Sequence, residues 1–201
     1  MSATNTPNTN RSAVVRIAFR INTMLTNLSK KNRVFWLKLQ GFQVGSNHNI
    51  GKITVQVPEQ VSIGNNCVLE DYVRLRPGGG WKKSSITIGN NNFIGHATQI
   101  NVGSHFKMGE NCMVAPLCVF SDAHHEFDDV NIPINQQPCR YNQIELKNDV
   151  WIGSGCVILG GVTIGNGVVI AAGAVVNKSI PDFEVWGGVP AKRIKSRLST
   201  N

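Results

Sequence analysis

The sequence predicts a parallel β-helix, and the first observation behind this fold class is its period. From residue 146 to residue 190 an aliphatic side chain returns every six positions, at Leu146, Ile152, Ile158, Ile164, Ile170 and Val176. Neither an α-helix nor an alternating strand has this period. A short fixed repeat instead indicates a chain that stacks small units, each burying its apolar face against its neighbours.

The residues between these positions support the same fold. Counting the aliphatic residue as position i, position i+4 is small or sulfur-bearing, at Cys156, Val162, Val168 and Ala174. Side chains alternate faces along a strand, so position i+4 and the next position i point the same way. Each hexad should therefore bury two side chains and turn one corner. Gly153 and Gly165 occupy position i+1, where we expect a positive φ.

The cysteines are a third observation. The chain has five cysteines and no C-x-x-C pair. Four fall on position i+4 and are predicted to be buried core fillers: Cys67, Cys112, Cys118 and Cys156. An odd number of core thiols suits a reducing compartment. Because the N-terminus is polar and no long apolar run is present, we expect a cytoplasmic protein without a signal peptide or membrane span.

The first 43 residues do not follow the six-residue period. Residues 1–12 are polar and are predicted to be a disordered tail. In residues 13–43 apolar side chains recur three or four apart among basic ones, which predicts a basic amphipathic helix, or two helices separated near Ser29. Two interpretations remain open. The segment caps the β-helix with its charges in water, or residues 13–40 contact an anionic inner-membrane surface.

The predicted β-helix domain spans residues 44–201. Its earlier aliphatic positions are Val44, Ile50, Val57, Ile63, Leu69, Leu75, Ile88, Ile94, Ile100, Met108, Val114 and Phe120. Two interruptions break the series. Residues 77–85 carry Trp81 and two lysines, and form either a solvated loop or a saccharide contact. Residues 121–143 begin with adjacent histidines and are rich in Asp, Asn and Gln, which suits a polyhydroxylated ligand, and such long insertions are usually functional.

The formal net charge of +8 indicates an anionic partner without naming it. The phosphates of a nucleotide cofactor, an anionic saccharide, a membrane surface and nucleic acid all fit the charge alone.

Several specific motifs occur together in the C-terminal third. They are WIG followed by a small residue, GVTIG, AAG followed by an aliphatic pair, Lys178 shortly before Pro181, and GGVPAKRI. This combination resembles the left-handed β-helix acetyltransferases, the hexapeptide-repeat family that includes maltose, galactoside and polysaccharide O-acetyltransferases. The resemblance implies a left-handed helix, although parallel crossovers are otherwise almost always right-handed. It also implies a homotrimer with acetyl-CoA between subunits, and no nucleic acid.

Acyl transfer from a thioester to a hydroxyl needs a base near that hydroxyl and a donor for the oxyanion. Histidine suits the first role near neutral pH. The family's base lies at the start of the internal loop, and aligning SDAHHEFDD with it gives His125, with His124 as the alternative. The hexad count agrees, because His124 would point into the core and His125 outward. A third possibility is that neither histidine has a chemical role.

The resemblance also assigns the ligand-binding residues. Trp151 would pack on the pantetheine or the acceptor, and the backbone N–H of Ser154 would bind the thioester carbonyl or oxyanion. Other coenzyme A contacts would come from Ala172, Gly173, Asn177, Lys178, Lys192, Arg193 and Lys195. The Asn that binds the acceptor in several relatives aligns with Gly95, beside His96. The acceptor candidates are therefore Gly95, His96, Asp122 and Trp81.

The sequence thus predicts an acetyl-CoA-dependent O-acetyltransferase that acts on a sugar of a polysaccharide or lipopolysaccharide precursor by direct His-assisted attack. One alternative changes the acceptor to an amino sugar, serine or an antibiotic. Another is a γ-class carbonic anhydrase, which would need three converging histidines around zinc. A non-catalytic β-helix scaffold is the third. No metal site is predicted.

Overall fold

The computed structural model describes residues 13–78 and 84–198. The N-terminal helix is α1 (Ala13–Leu39). The strands follow in chain order as β1 (Gln43–Val44), β2 (Asn49–Ile50), β3 (Thr54–Val55), β4 (Val61–Ile63), β5 (Val68–Leu69), β6 (Arg74–Pro77), β7 (Ser85–Ile88), β8 (Phe93–Ile94), β9 (Gln99–Val102), β10 (His105–Met108), β11 (Met113–Val114), β12 (Val119–Ser121), β13 (Ala123–His125), β14 (Cys139–Tyr141), β15 (Ile144–Leu146), β16 (Trp151–Ile152), β17 (Val157–Leu159), β18 (Thr163–Ile164), β19 (Val169–Ile170), β20 (Val175–Val176), β21 (Glu184–Gly187) and β22 (Lys192–Ser196). Short 3₁₀ turns lie at Pro58–Gln60 and Ile134–Gln136.

The strands form the three walls of a parallel β-helix. The first sheet has the order β1-β4-β7-β10-β15-β18, the second β2-β5-β8-β11-β16-β19-β21-β22, and the third β3-β6-β9-β12-β17-β20. All pairings in these walls are parallel except that of β21 with β22. Each coil thus contributes one strand to each wall, which confirms the predicted fold class.

The core runs along the inside of the three walls. The position-i residues from Ile63 to Val176 are at most 4% exposed, and so is Ile50 on the first coil. The four cysteines at position i+4 are fully buried, as predicted.

The hexad series is wrong at Val57. Val55 pairs with Leu75 and occupies the third wall, whereas Val57 lies at a corner with φ 56°. The reason is the 3₁₀ turn Pro58–Gln60, which takes up the extra residues before β4 and restores the register at Ile63.

The role predicted for glycine at position i+1 is also wrong. Neither Gly153 nor Gly165 has a positive φ; the left-handed residues lie two positions later, at Gly155 and Gly167. Gly153 is needed for close approach instead, because a Cβ there would lie 2.5 Å from the backbone nitrogen of Ala172 on the next coil.

Helix α1 is continuous, with no break near Ser29. Val34 is buried against the first coils, and Lys30 donates to the side chain of Asn49 at 3.0 Å on the same side of the helix. A second stripe faces solvent with 52–69% exposure: Ile21, Met24, Leu25, Leu28, Phe35 and Leu39. The helix therefore caps the β-helix through a face that carries both apolar and basic side chains. Its main apolar stripe is left exposed to solvent in the single chain.

No helix in the described part of the chain combines the length and apolar character needed to cross a bilayer.

Candidate active site

The 121–143 insertion forms a β-hairpin that leaves the third wall after β12. Strands β13 and β14 are antiparallel, and His124 pairs with Arg140 while His125 pairs with Cys139. Directly opposed residues share a face and successive residues alternate, so the two histidines point to opposite faces. His124 was predicted to point into the core, but it is exposed. The prediction fails because the chain abandons the coil at this point, so the hexad count no longer applies.

A cavity of about 520 Å³ lies between this hairpin and the ends of the third-wall strands. His125 lines the cavity together with Ala123 and Tyr141 from the same face of the hairpin. His124 is not among the lining residues, and its ring packs edge-on against Phe127 with centroids 5.9 Å apart. The structure therefore separates the two histidines, with His125 the one placed where a ligand could reach it.

Three neighbouring strands supply the floor of the cavity. Arg76, Asn101 and Ser121 pair across β6, β9 and β12 and all line the cavity. Each follows a fully buried core residue, so each side chain points outward. These residues were missed in the sequence analysis. In the sequence, each of the three occupies position i+1 of a hexad after which the six-residue period is interrupted. That pattern could have indicated them, but only the strand register shows that they lie side by side.

The side-chain amide of Asn101 is only partly hydrogen-bonded. Its Nδ2 donates to Gln99 Oε1 at 3.3 Å, whereas its Oδ1 is buried and has no hydrogen-bond partner among the described residues. A buried acceptor without a donor is costly, and most such groups in native proteins are satisfied. Asn101 lines the cavity, so rotation of its amide would expose this oxygen to a ligand hydroxyl that supplies the missing donor.

Asp122 lies in the wall of the cavity but uses its carboxylate within the protein. It is 1% exposed. Its oxygens accept hydrogen bonds from Gly103 N at 2.8 Å and from both the backbone N and Oγ of Ser104 at 2.7 Å. Asp122 therefore fixes the point where the hairpin leaves the coil, which favours a positioning role over the acceptor contact that was predicted.

Tyr141 closes one side of the cavity by packing against Gly103. A Cβ at Gly103 would lie 2.2 Å from Tyr141 Cδ1, so only glycine allows the ring to approach this closely. The hairpin is thereby held against the corner after β9.

A different corner, between the second and third walls, holds the residues predicted to bind the thioester and pantetheine. Trp151 is 53% exposed, and Ser154, Ala172 and Gly173 are exposed as well. At comparable corners a side-chain oxygen accepts the second backbone N–H, as Asp182 does from Asn166 at 2.7 Å. On the coil that follows Ser154 the corresponding residue is Ala172, whose side chain has no oxygen. The N–H groups of Ser154 and Ala172 therefore meet no acceptor in the described part of the chain. Two amides are therefore available to a ligand.

The predicted phosphate-binding residues are all exposed, at the end of β20 and on β22. Arg193 Nε donates to Glu184 Oε1 at 2.7 Å. The pKa of Glu184 is lowered by the hydrogen bond from the Trp186 indole and then by Arg193. Lys178, Lys192 and Lys195 make no ion pair within residues 13–78 and 84–198. Three ammonium groups thus remain available to an anion.

Comparison with known proteins places this architecture in a family. The family model for bacterial transferase hexapeptide, with six repeats, matches residues 144–178. A probable macrolide acetyltransferase of Lysinibacillus sphaericus is 30% identical, and the match covers 49% of this chain and 68% of that protein. The chain belongs to the hexapeptide-repeat transferase family. Its fold is accordingly the left-handed parallel β-helix, and the resemblance drawn from the sequence motifs is confirmed.

Other relatives of this hexapeptide-repeat transferase are also acetyltransferases. A probable acetyltransferase of Mycobacterium tuberculosis is 32% identical over 138 residues, which cover 69% of this chain and 45% of that protein. The galactoside O-acetyltransferase of Escherichia coli is 34% identical over 135 residues, which cover 67% of this chain and 63% of that protein. The chain therefore matches less than two thirds of the length of either protein.

Solved structures extend the comparison to bound ligands. The N-acyltransferase AntD from Bacillus cereus, in complex with dTDP and 3-hydroxybutyryl-CoA, has a TM-score of 0.70 and 28% identity, and the match covers 81% of this chain and 87% of that chain. A hexapeptide-repeat acetyltransferase of Vibrio cholerae in complex with acetyl coenzyme A has a TM-score of 0.59 and 25% identity, with 94% and 91% covered. Both neighbours hold a coenzyme A thioester.

One copy of the hexapeptide-repeat transferase does not bring its two half-sites together. His125 lies at the corner between the third and first walls, and Ser154 at the corner between the second and third. Along one coil, the path from Ser154 to Gly160 spans the intervening wall and can reach about 20 Å when extended. The cavity and the free amides therefore lie at opposite edges of the third wall.

The other predicted acceptor residues lie away from the cavity. Gly95 is buried, and His96 follows β8 at the same corner as Ser154. The His96 backbone N–H donates to Glu70 Oε2 at 2.7 Å, and its ring contacts Tyr72 with centroids 5.3 Å apart. Trp81 lies outside the described residues. Within residues 13–78 and 84–198 no three His, Cys, Asp or Glu side chains converge as a metal site requires.

Proposed function

We propose that this protein is an acetyl-CoA-dependent O-acetyltransferase whose acceptor is a hydroxyl of a sugar or glycan precursor. The observation that carries the proposal is the cavity that both His125 and Asn101 line, where the buried Oδ1 of Asn101 has no hydrogen-bond partner among the described residues. A histidine beside a vacant acceptor suits a polyhydroxylated ligand, with one hydroxyl at the base and another donating to the amide oxygen. The galactoside O-acetyltransferase relationship and the two coenzyme A thioester complexes support the same chemistry.

In the proposed reaction, His125 accepts the proton of the acceptor hydroxyl as its oxygen attacks the thioester carbonyl carbon. The new C–O bond produces a tetrahedral oxyanion, which the backbone N–H of Ser154 stabilises. Collapse of this intermediate breaks the C–S bond, and the departing coenzyme A sulfur takes the proton from His125. The products are the acetyl ester and the free thiol. The nucleophile belongs to the substrate, which agrees with the burial of four of the five cysteines.

We propose further that the active form is a homotrimer with shared sites. His125 and the free amides of Ser154 and Ala172 lie at different corners of the triangular coil, so a neighbouring copy is needed to place one corner against the other. A closed three-fold ring uses both corners of every copy and creates three equivalent sites. Lys178, Lys192 and Lys195 would then bind the phosphates of coenzyme A, and Trp151 would pack on its pantetheine arm.

A second candidate is N-acetyl transfer, which the likeness to the N-acyltransferase AntD favours. The same base and amides would serve an amine acceptor. The deciding experiment measures release of coenzyme A thiol from acetyl-CoA with sugars, nucleotide sugars and short polysaccharides, each supplied in hydroxyl and amino forms, and identifies the products by mass spectrometry. Ester products support the O-acetyltransferase. Amide products alone would replace it with the N-acetyltransferase.

The uncovered stripe of α1 supports a peripheral membrane location. The helix has no acidic residue. Lys30 and Arg33 hydrogen-bond the first coils, whereas Arg20, Lys31 and Lys38 are exposed. An apolar face beside basic side chains is typical of helices that lie in the interface of an anionic bilayer. We propose that α1 holds the enzyme at the cytoplasmic surface of the inner membrane.

A further inference from the structure

The floor of the cavity contains a guanidinium group that the acetyl-transfer chemistry does not require. Arg76 lines the cavity with Asn101 and Ser121, and it makes no ion pair among the residues the structure describes. An arginine in a cavity normally pairs with an anion, because its planar fork matches the two oxygens of a carboxylate or phosphate.

The described lining of the cavity offers Arg76 no counter-ion. Among the described lining residues, Asp122 is the only acidic one. Both oxygens of that carboxylate accept hydrogen bonds from Gly103 and Ser104. The described lining therefore presents a positive charge without an internal partner, and an anionic ligand would be attracted to it.

The strand register shows how the Arg76 guanidinium is placed relative to His125 in the cavity. Arg76 pairs with Asn101 across β6 and β9, and Asn101 pairs with Ser121 across β9 and β12. Two strand spacings separate the backbones of Arg76 and Ser121, which is about 10 Å. His125 lies four residues beyond Ser121, on the hairpin. The order along the cavity is thus a base, an unpartnered amide oxygen and a guanidinium.

We propose that Arg76 binds a carboxylate or phosphate on the acceptor, so that the substrate is an acidic sugar or a sugar phosphate rather than a neutral sugar. The acceptor hydroxyl lies at His125, a second hydroxyl donates to Asn101 Oδ1, and the carboxylate or phosphate lies against Arg76. This inference rests on the proposed acetyl transfer and adds the substrate class.

The experiment compares neutral and anionic members of matched pairs: glucose with glucuronate and glucose 1-phosphate, galactose with galacturonate and galactose 1-phosphate. The ratio of kcat/KM for the anionic to the neutral member is measured for the wild type, Arg76→Gln, Arg76→Lys and Arg74→Gln. Arg74 is the matched control, because it lies on the same strand, is also exposed and lies outside the cavity lining.

The wild type and Arg74→Gln should favour the anionic member of at least one pair. Arg76→Gln should lower that ratio about 10- to 100-fold, the range expected for a charge-assisted hydrogen bond. The ratio for Arg76→Lys should lie between those of the wild type and Arg76→Gln, because an ammonium group keeps the positive charge but cannot make the bidentate contact. Preference for glucuronate and galacturonate identifies a carboxylate, and preference for the 1-phosphates identifies a phosphate.

Two results would overturn the proposal. One is the absence of any anionic preference in the wild type across all pairs. The other is an Arg76→Gln enzyme that keeps the preference and instead has a raised KM for acetyl-CoA, which would assign Arg76 to the phosphates of coenzyme A. Calorimetric titration of the same sugars into wild type and Arg76→Gln tests the contact without turnover. Arg76-dependent binding without acetyl transfer would contradict the proposed function and would still support the anion contact at Arg76.

Discussion

His125 lies directly across the hairpin from Cys139, on the face from which Ala123, His125 and Tyr141 line the cavity. His124 is opposite Arg140 on the other face. The alternation of the two short strands thus selects one histidine of the adjacent pair, a choice that does not depend on the hexapeptide period.

Replacement of His125 should abolish most acetyl transfer. We expect His125→Ala to lower kcat by about 10²- to 10⁴-fold, the usual contribution of a general base. His124→Ala is the matched control and should keep kcat within about threefold, because its ring packs against Phe127 outside the cavity. Coenzyme A thiol release measures both. Equal losses in the two variants would show that the hairpin faces do not separate their roles.

The free corner amides predict a defect in cofactor binding. Ala172→Leu should raise the KM for acetyl-CoA several-fold, because its larger side chain would cover the N–H groups of Ser154 and Ala172. Ser46→Leu introduces the same side chain at the same hexad position but at a different corner, on the first coil, and it should leave this KM unchanged. Steady-state titration of acetyl-CoA gives the result. A normal KM in Ala172→Leu would remove this corner from the cofactor site.

The buried carboxylate of Asp122 predicts a stability effect. Asp122→Asn should lower the free energy of unfolding by about 1.5–3 kcal/mol, because the amide nitrogen cannot accept the hydrogen bonds that Ser104 donates. Asp128→Asn, in the same insertion but exposed, should unfold like the wild type. Chemical denaturation followed by circular dichroism compares them. Identical midpoints would mean that these hydrogen bonds contribute little.

The cysteines should differ sharply in reactivity. Burial raises the pKa of the Cys67 and Cys112 thiols. These thiols therefore remain protonated at neutral pH, and they form the reactive thiolate only at a higher pH than an ordinary cysteine does. Cys139 is partly exposed. We expect iodoacetamide to modify one thiol per native chain, at Cys139, and to block acetyl transfer because the adduct lies beside His125. Peptide mapping locates the label, and Cys139→Ser should resist inactivation. Inactivation of that variant would place the sensitive thiol elsewhere.

The exposed stripe of α1 predicts binding to anionic vesicles. The full chain should co-sediment with vesicles that contain phosphatidylglycerol and not with vesicles of phosphatidylcholine alone. A double change of Leu25→Glu and Leu28→Glu should remove this binding while leaving acetyl transfer to soluble sugars intact. Light scattering on the same variant reports the oligomeric state. A drop from trimer to monomer with no change in vesicle binding would instead assign the stripe to subunit contacts.

Much of the fold followed from local chemistry. The hexads predicted the coil, the buried cysteines and the interruptions, because each wall position repeats the same burial pattern. The errors at Val57 and at the i+1 glycines both lie at corners. The 3₁₀ turn Pro58–Gln60 displaces Val57, and the next coil approaches Gly153 closely; neither feature is contained in a single hexad. Gly153 is small because Ala172, nineteen residues later in the chain, lies beside it.

The candidate site divides in the same way. The sequence by itself determined the repeat, the family and the histidine pair, since these depend on residue type and short spacing. Only the tertiary structure decided that Arg76, Asn101 and Ser121 form one floor and that Asp122 accepts hydrogen bonds from Gly103 and Ser104. It also decided that the corner amides of Ser154 and Ala172 meet no acceptor among residues 13–78 and 84–198. These relationships depend on strand register between coils, and register is set by packing over distances that the sequence pattern does not record.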